Sequence, residues 1–292
     1  MKKINIFCFG FGQVAKNFIR KLNSENITIN LSISSREKSH TKNFDGIQCD
    51  SFQFSEDTFD QKLIKNLKSS DHILISIAPV NGTDIVIKNF QKIFENSKTK
   101  WVTYLSATSV YGNHDGEWVN EKSKTNPTLS NGIDRLNAEK SWMKLAANKS
   151  LPVQIFRLAG IYSNQSNILA RLKSGKAKII NKKKNHFISR IHVEDIANIL
   201  FKSLENFKSK EIYNISDDKP ASSEEVILYG SKLLDIEKPK TIELSSIESE
   251  MVKNFYKDSK KVSNKKMKNA FSYELKHTTY IEGLRYIRDN FI

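Results

Sequence analysis

The sequence predicts an α/β fold in which a doubly wound parallel sheet is followed by a smaller C-terminal α+β lobe. Two observations support this prediction. Apolar runs of strand length alternate with amphipathic segments of helical periodicity over the first 160 residues, and a glycine-rich turn separates the first strand from the first helix. Such alternation is typical of βαβ units wound on both faces of a parallel sheet.

The predicted elements of this first part follow one another in strand-helix order. Short runs rich in Ile, Val, Phe and Leu predict strands, and apolar positions three or four residues apart predict helices. The predicted strands cover residues 4–9, 27–33, 73–77, 101–105 and 153–158. The predicted helices cover residues 13–22, 59–67, 85–94 and 132–147.

The pattern changes after Gly160, where shorter strands and helices alternate less regularly. The predicted strands lie near Ile179, Phe187 and Ile212, and the predicted helices cover residues 193–204, 223–234 and 279–288. We therefore expect an N-terminal domain of residues 1–160 and a smaller lobe of residues 161–292. Part of residues 190–215 is expected to pack back on the sheet.

The net charge of +15 does not by itself indicate nucleic-acid binding. The lysines are spread over the whole chain and are dense only at residues 182–184 and 260–268. Charge runs of this length are usually solvated faces, whereas binding to a phosphate backbone requires clustered cations. We therefore expect no nucleic-acid partner.

The sequence also argues against a membrane span and a metal site. No apolar segment approaches the roughly 20 residues that a membrane-spanning helix requires. Cys8 and Cys49 lie in strand-like surroundings without a CxxC spacing or a histidine cluster, which predicts reduced thiols in the core. We expect a soluble cytoplasmic protein, a monomer or homodimer, with no metal ligands.

The turn between the first strand and the first helix has the spacing of a dinucleotide-binding loop. It reads Gly10-Phe11-Gly12-Gln13-Val14-Ala15. In such a loop the first glycine permits the tight turn, the second lets a pyrophosphate approach the backbone, and the third small residue lets helix and strand pack closely. The sequence therefore predicts a Rossmann-type domain that binds a dinucleotide at the helix N-terminus, the alternative being a Rossmann shell that has lost its ligand.

The end of the second strand indicates which dinucleotide is bound. An acidic residue at this place accepts hydrogen bonds from the ribose 2′-hydroxyl and favours NAD. Here the sequence reads Ser34-Ser35-Arg36, and the hydroxyl of Ser35 and the guanidinium of Arg36 suit a 2′-phosphate. The prediction is NADP(H). NAD(H) is the alternative if Arg36 is only an exposed charge beside Glu37.

Four further segments carry a resemblance to a known family. They are Leu105-Ser106-Ala107-Thr108-Ser109-Val110-Tyr111-Gly112, Arg157-Leu158-Ala159-Gly160-Ile161-Tyr162, Arg190-Ile191-His192-Val193-Glu194-Asp195-Ile196 and Ile212-Tyr213-Asn214-Ile215. With the glycine turn, they make the chain similar to the extended short-chain dehydrogenase/reductase family, also called the NAD-dependent epimerase/dehydratase family, and especially to its atypical subgroups. The resemblance implies that the smaller lobe binds substrate. It also implies cofactor contacts at Ile77, Ala78, Pro79, Ser106, Leu158 and Gly160.

The catalytic positions of that family are altered in this sequence. Its standard members use a Tyr as acid or base, a Lys four residues later that lowers the Tyr pKa, and a Ser or Thr that hydrogen-bonds the same substrate oxygen. Matching by position puts Asn131, Arg135 and Ala107 in these three places, with the Thr108 hydroxyl one residue away. Asn131 can donate a hydrogen bond but cannot transfer a proton.

Other groups are therefore considered for proton transfer or for substrate contact. Tyr111 and His114 lie in the loop after the strand at 101–105, where the carboxyl ends of strands gather ligands, and His titrates near neutral pH. A literal YxxxK spacing also occurs at Tyr256–Lys260. The loop residue Trp118 is interpreted either as a pocket wall or as a loop anchor, and Lys260 and Lys261 either as contacts to an anionic substrate or as solvated charges. His192 is expected to be structural.

Two functions remain open at this point. One is an NAD(P)-dependent oxidoreductase or epimerase-like enzyme that acts on a small carbonyl or sugar substrate, either anionic or neutral. The other is a non-catalytic NADP(H)-binding regulatory protein that has lost the Tyr/Lys pair. Consumption of NADPH with a panel of carbonyl compounds would separate them.

Overall fold

The computed structural model describes residues 3–181 and 186–292. The basic run at 182–184 lies outside the described residues. The strands are β1 (Lys3–Phe9), β2 (Thr28–Ser35), β3 (His40–Phe44), β4 (Ile47–Gln53), β5 (His72–Ile75), β6 (Trp101–Ala107), β7 (Trp118–Val119), β8 (Val153–Leu158), β9 (Gly160–Tyr162), β10 (Ile179–Asn181), β11 (Arg190–His192), β12 (Glu211–Ile215), β13 (Thr241–Glu243) and β14 (Lys261–Val262).

The helices fall between these strands and after the last of them. They are α1 (Gln13–Ser24), α2 (Lys62–Lys68), α3 (Ile85–Phe94), α4 (Ser130–Lys149), α5 (Ile168–Lys173), α6 (Val193–Glu205), α7 (Ser223–Leu234), α8 (Glu250–Phe255), α9 (Lys265–Phe271) and α10 (Tyr280–Phe291). No described helix is long and apolar enough to cross a membrane.

The main sheet has eight strands in the order β12-β8-β6-β5-β1-β2-β4-β3. β1 pairs in parallel with both β2 and β5, so the strand order reverses beside β1. In a doubly wound sheet, ligands bind outside the carboxyl ends of the strands at such a reversal. The predicted α/β fold with a doubly wound parallel sheet is confirmed, and the reversal lies next to the glycine-rich turn.

The β3–β4 hairpin is a feature that the apolar pattern did not predict. β3 pairs antiparallel with β4, which itself pairs in parallel with β2. Asp45 and Gly46 connect them with φ values of +49° and +84°. Positive φ at both central residues is typical of a type I′ turn, for which Asp-Gly is a favoured sequence. The turn signal was present in the sequence, but β3 is a polar edge strand without a clear apolar alternation.

Phenylalanine rings fill much of the core on one face of this sheet. Phe7 and Phe9 of β1 have ring centroids 4.6 Å apart, and Phe9 lies 5.6 Å from Phe90 of α3. All three rings are fully buried. Burial of each ring contributes about 2–3 kcal/mol, which makes this cluster a principal source of the stability of α3 on the sheet.

The chain divides into two compact units, each built from three segments. The first unit comprises Met1–Ala107, Ser130–Arg157 and Ile196–Tyr213, and the second comprises Thr108–Leu129, Leu158–Asp195 and Asn214–Ile292. Within the second unit, parallel two-stranded sheets pair β9 with β11, β10 with β13 and β7 with β14. Phe187 lies outside any strand, and Ile212 belongs to β12 of the main sheet.

Candidate functional site

Gly10 is required by the backbone of the turn after β1. Its φ is +83°, and a Cβ atom added there would lie 2.7 Å from the Ser76 side-chain oxygen. The Gly10 N–H donates to the Ser34 Oγ at 3.0 Å, and the Ser76 hydroxyl lies 3.0 Å from the Phe9 and Gly10 carbonyl oxygens. Only glycine adopts this conformation without strain and leaves room for the end of β5.

Gly12 serves a different purpose, because open space surrounds it. No atom lies within 4 Å of a Cβ added at this position. Gly12 is the N-cap residue of α1, no side chain caps the helix, and its first turn carries no acidic residue. The first backbone N–H groups and the positive end of the helix dipole are therefore available to an anion. This arrangement fits the pyrophosphate of a dinucleotide.

The other residues of the glycine-rich turn are held by packing. Val14 and Ala15 are buried against the sheet, whereas Gln13 is half-buried. The half-buried Phe11 ring makes an edge-to-face contact with Phe44 of β3 at 4.8 Å between centroids. The unpredicted hairpin therefore supports this turn.

The predicted residues at the ends of β2 and β5 are accessible to different degrees. Ser35 is half-buried and its hydroxyl accepts a hydrogen bond from Ser51, whereas Arg36 is exposed. Within residues 3–181 and 186–292, Arg36 forms no ion pair. After β5, Ile77 and Pro79 are half-buried and Ala78 is exposed.

A buried polar network joins the carboxyl ends of β6 and β8 to α4. The Ser106 hydroxyl donates to Glu139 Oε1 at 2.6 Å, and Arg157 donates through Nε and Nη2 to the same carboxylate at 2.7–3.2 Å. All three residues are at most 4% exposed. A buried carboxylate needs such partners, because unpaired burial of a charge is costly.

Two of the altered family positions, Asn131 and Arg135, lie on one face of α4, whereas the third, Ala107, ends β6. Asn131, Arg135 and Glu139 are spaced four residues apart, which places them in one row along the helix. Asn131 is exposed, and Arg135 donates through Nη1 to the Leu105 carbonyl oxygen at 2.7 Å. This row thus extends from the buried network to solvent at the start of α4.

The second unit contains the remaining predicted groups. Thr108 is half-buried at the start of a short 3₁₀ helix, Leu158 is buried and Gly160 is exposed. Tyr111 is completely buried, and its hydroxyl donates to Asn214 Oδ1 at 2.7 Å. This placement favours a structural role for Tyr111.

His114 is similarly engaged within the loop. Its Nε2 atom lies 3.2 Å from the Tyr111 carbonyl oxygen and 3.1 Å from the Lys124 carbonyl oxygen. Both partners only accept hydrogen bonds, so this nitrogen carries the proton. The contacts anchor the loop and favour a structural role over proton transfer.

The YxxxK spacing does not form a helical pair. α8 ends at Phe255, and Tyr256 is its C-cap residue. Lys260 is buried, its Nζ donates to the Gly112 carbonyl oxygen at 2.8 Å, and Asp258 lies 3.5 Å away. Burial lowers the pKa of Lys260. These contacts hold the ammonium inside the loop.

His192, Asp195 and His277 form a buried cluster with potential metal-ligating atoms. The two imidazole centroids are only 4.0 Å apart. Two histidines on one tetrahedral ion, at about 2 Å from metal to nitrogen, would have centroids about 5 Å apart. The Glu194 N–H donates to His192 Nδ1, and burial lowers the pKa of His192 to about 3. The geometry fits two imidazoles packed edge to face, with 63° between the ring planes.

Four residues of these arrangements were not singled out as site residues from the sequence. Ser34 and Ser76 form hydrogen bonds with the glycine-rich turn, and Glu139 and Arg157 form an ion pair between α4 and β8. Glu139 had a recognisable signal, because a carboxylate four residues after Arg135 falls on the helix face that carries Ala138 and Trp142 in the core. The two serines are common strand residues without any distinguishing pattern.

Comparison with known proteins agrees with this arrangement. The sequence matches the NAD dependent epimerase/dehydratase family over residues 10–216. This confirms the resemblance predicted from the glycine turn and the four segments. No curated protein sequence matches the chain.

Solved structures share the fold over nearly the whole chain. A functionally unknown conserved protein from Silicibacter pomeroyi DSS is 30% identical, with a TM-score of 0.85 and 99% of both chains covered. UDP-N-acetylglucosamine 4-epimerase from Bacillus cereus is 15% identical, with a TM-score of 0.75, covering 99% of this chain and 100% of that one. dTDP-glucose 4,6-dehydratase from Bacillus anthracis str. Ames, in complex with NAD, is 17% identical, with a TM-score of 0.75 and coverage of 99% and 96%.

Proposed function

Because the chain belongs to the NAD dependent epimerase/dehydratase family, we propose that it is an NAD(P)-dependent oxidoreductase or epimerase-like enzyme for a small carbonyl or sugar substrate. The observation that carries this proposal is the open N-terminus of α1 at Gly12, where a Cβ atom would meet nothing within 4 Å. A bound dinucleotide supplies hydride transfer, so the protein needs to bind, orient and exchange one proton. The sugar-modifying neighbours, one of them in complex with NAD, support this substrate class.

Different residues around the glycine-rich turn contact different parts of the dinucleotide. The N–H groups at the start of α1, beside Gly12, bind the pyrophosphate. Ser35 and Arg36 bind a ribose 2′-phosphate, which makes NADP(H) the preferred cofactor and NAD(H) the weaker one. The remaining contacts come from Ile77, Ala78, Pro79 and Ser106.

The proton step must use groups other than the family Tyr. Asn131 is exposed on α4 and donates a hydrogen bond to the substrate oxygen, and the guanidinium of Arg135 one turn later stabilises negative charge there. None of these groups is a good base at neutral pH, so the proton is exchanged with solvent. We expect slow turnover with a weak dependence on pH.

A second candidate function follows from the presence of Asn131 at the position of the family Tyr. If no carbonyl or sugar substrate is turned over, Asn131 in the Tyr position favours a non-catalytic NADP(H)-binding regulator. In such a regulator, Asn131→Ala changes at most the binding of the cofactor. In an enzyme, Asn131→Ala lowers kcat by a moderate factor, well below the loss that removal of a catalytic Tyr causes.

Titration with NADPH tests the cofactor site. Gly12→Val should weaken NADPH binding at least tenfold, because its side chain occupies the space needed by the pyrophosphate, while the free energy of unfolding changes little. Asn23→Val, at the exposed far end of α1, is the matched control and should bind normally. An unchanged dissociation constant for Gly12→Val would remove the basis of the proposal.

Comparing both cofactors tests the NADP preference. Arg36→Asp should weaken NADPH binding by about one to two decades and spare NADH, because the carboxylate repels the 2′-phosphate and the lost charge-assisted contacts contribute about 1.5–3 kcal/mol. Lys38→Asp, also exposed, controls for net charge at equal ionic strength. If the NADPH/NADH ratio changes by less than about twofold, Arg36 does not select the cofactor.

A further inference from the structure

Trp118 is an exposed aromatic side chain on an ordered strand of the second unit. The residue is 55% exposed, although tryptophan is usually mostly buried because its apolar surface is large. It lies in β7, where it is paired in register with Lys261 of β14. Its exposure is therefore a property of a fixed strand, and its ring offers uncovered apolar surface.

The backbone around Trp118 is held from several directions. The Lys261 N–H donates to the Glu117 carbonyl oxygen at 2.9 Å. The N–H groups of His114 and Gly116 both donate to the Ser259 carbonyl oxygen, at 3.0 and 3.1 Å. A preorganised surface of this kind loses less conformational entropy when a ligand binds than a mobile loop does.

A positive charge is fixed beside the exposed ring. The Lys261 ammonium lies 5.8 Å from the Trp118 ring centroid and 4.9 Å from that of Phe187, both within cation–π range. Over the described part of the chain, Lys261 forms no ion pair with a carboxylate. Its charge is therefore positioned by two rings and is not neutralised.

We propose that Trp118, Phe187 and Lys261 form a subsite for a phosphorylated sugar. The apolar face of a sugar ring stacks on the exposed indole of Trp118, and the phosphate lies against the Lys261 ammonium. Either interaction alone is weak at a surface. A rigid ligand that forms both interactions binds more tightly, because the distance between the ring and the ammonium is fixed before binding. The subsite specifies the substrate of the proposed function, and it rests on that function only in taking the substrate to be sugar-derived.

Tryptophan fluorescence reports on this subsite selectively. The chain has three tryptophans, and Trp101 and Trp142 are at most 1% exposed. Acrylamide therefore quenches mainly the emission of Trp118. At constant ionic strength, glucose 6-phosphate should lower the quenching constant of the full chain at least twofold, whereas glucose or inorganic phosphate alone at the same concentration should not.

Variants separate the two interactions. Lys261→Met keeps the aliphatic stem and should weaken protection by glucose 6-phosphate at least tenfold. Lys257→Met removes the same charge from an exposed lysine four positions earlier and should behave as wild type. Trp118→Ala should abolish the heat of glucose 6-phosphate binding measured by calorimetry. Equal protection in wild type and Lys261→Met would overturn the proposal. Protection by uridine monophosphate but not by glucose 6-phosphate would also overturn it, in favour of a nucleoside site.

Failure of the subsite can be distinguished from failure of the proposed function. The fluorescence measurement needs neither turnover nor dinucleotide. Gly12→Val should therefore bind glucose 6-phosphate normally while it loses NADPH, and Lys261→Met should show the opposite pattern. Loss of both ligands in Lys261→Met would mean that the variant is misfolded, which its unfolding curve would reveal, and Lys261→Gln would then be the variant to compare.

Discussion

Gly10 and Gly12 of the glycine-rich turn have different roles, although the sequence motif requires glycine at both positions. Gly10 has a positive φ and a close neighbour in Ser76, whereas Gly12 has a negative φ and open space. The first is needed by the folded backbone and the second by a ligand. The motif predicted both positions, but only the structure separates the two reasons.

Substitution of Gly10 should therefore affect folding. Gly10→Ala places a Cβ atom at positive φ, at a cost of about 1–2 kcal/mol, and presses it against the Ser76 hydroxyl. We expect the free energy of unfolding in urea to fall by about 2–3 kcal/mol, with Gly12→Ala within about 1 kcal/mol of wild type. Equal stability of the two variants would contradict this assignment of roles.

His192 makes stability depend on pH in the acid range. Burial and the neighbouring His277 lower its pKa to about 3 from the ordinary value of 6.5. The unfolded chain therefore binds a proton below about pH 6.5 that the folded chain does not accept until about pH 3. The free energy of unfolding falls as pH decreases through this window, by up to about 1.4 kcal/mol per pH unit.

Replacing the imidazole tests this dependence. Urea unfolding of His192→Gln between pH 6 and pH 4 should show a slope smaller than that of wild type by about 1 kcal/mol per pH unit. His40→Gln removes an exposed histidine and should keep the wild-type slope. Parallel slopes for wild type and His192→Gln would show that His192 does not remain neutral in the folded protein.

At the scale of the element, α4 is fixed to the sheet by a charged pair. Glu139 of α4 accepts hydrogen bonds from Ser106 of β6 and Arg157 of β8, and all three are buried. Removal of one partner from a buried pair leaves the other charge uncompensated, which costs about 3–5 kcal/mol. The network thereby controls where the Asn131 end of the helix lies.

Glu139→Gln should therefore destabilise the protein by about 3–5 kcal/mol in urea unfolding. Lys140→Gln, an exposed neighbour on the same helix, should change stability by less than about 0.5 kcal/mol. In the double variant Glu139→Gln/Arg157→Met the loss should be smaller than the sum of the single losses, because no charge remains unpaired. Additive losses would show that the pair acts as two independent groups.

The regular elements were predictable from the sequence where apolar periodicity was strong. β1, α1, α3 and β8 lie close to their predicted bounds because each buries a continuous apolar face. The β3–β4 hairpin was missed since its strand β3 is mostly exposed and polar. Its signal was local, in Asp45-Gly46, and not in hydrophobic alternation.

The candidate site was predictable to a lesser degree. The glycine turn carries its own spacing rule, so the sequence predicted its position. By contrast, the contacts of Tyr111 with Asn214 and of Lys260 with Gly112 join residues more than 100 positions apart. Sequence periodicity carries no signal for hydrogen bonds between such distant residues. The sequence therefore could not show that these loop residues, which resemble acids, bases or anion contacts, are anchored within the fold.

On the scale of the whole molecule, neither compact unit corresponds to a continuous stretch of sequence. The edge strand β12 of the main sheet comes from residues 211–215, far beyond its neighbour β8. A fragment that ends at residue 160 lacks this strand and all of α6. Its β8 edge would be left without a partner, and an unpaired edge promotes association between chains.

Truncation tests this dependence directly. A fragment of residues 1–160 should be aggregated or unfolded by circular dichroism and gel filtration, because β8 then has an open edge. A fragment of residues 1–216 restores β12 and should be more soluble and show a cooperative unfolding transition. A monomeric, cooperatively folded 1–160 fragment would mean that β12 is dispensable for the sheet.

The late position of β12 also has a consequence in time. During synthesis from the N-terminus, β8 is complete by residue 158, but its outer partner is not available until residue 215 has been added. At about 5–20 residues per second, the ribosome needs on the order of several seconds for this interval. During this interval the edge of β8 in the nascent chain has unpaired backbone donors and acceptors. Ribosomes that are closely spaced on one messenger RNA would bring several such β8 edges together before β12 can pair with any of them.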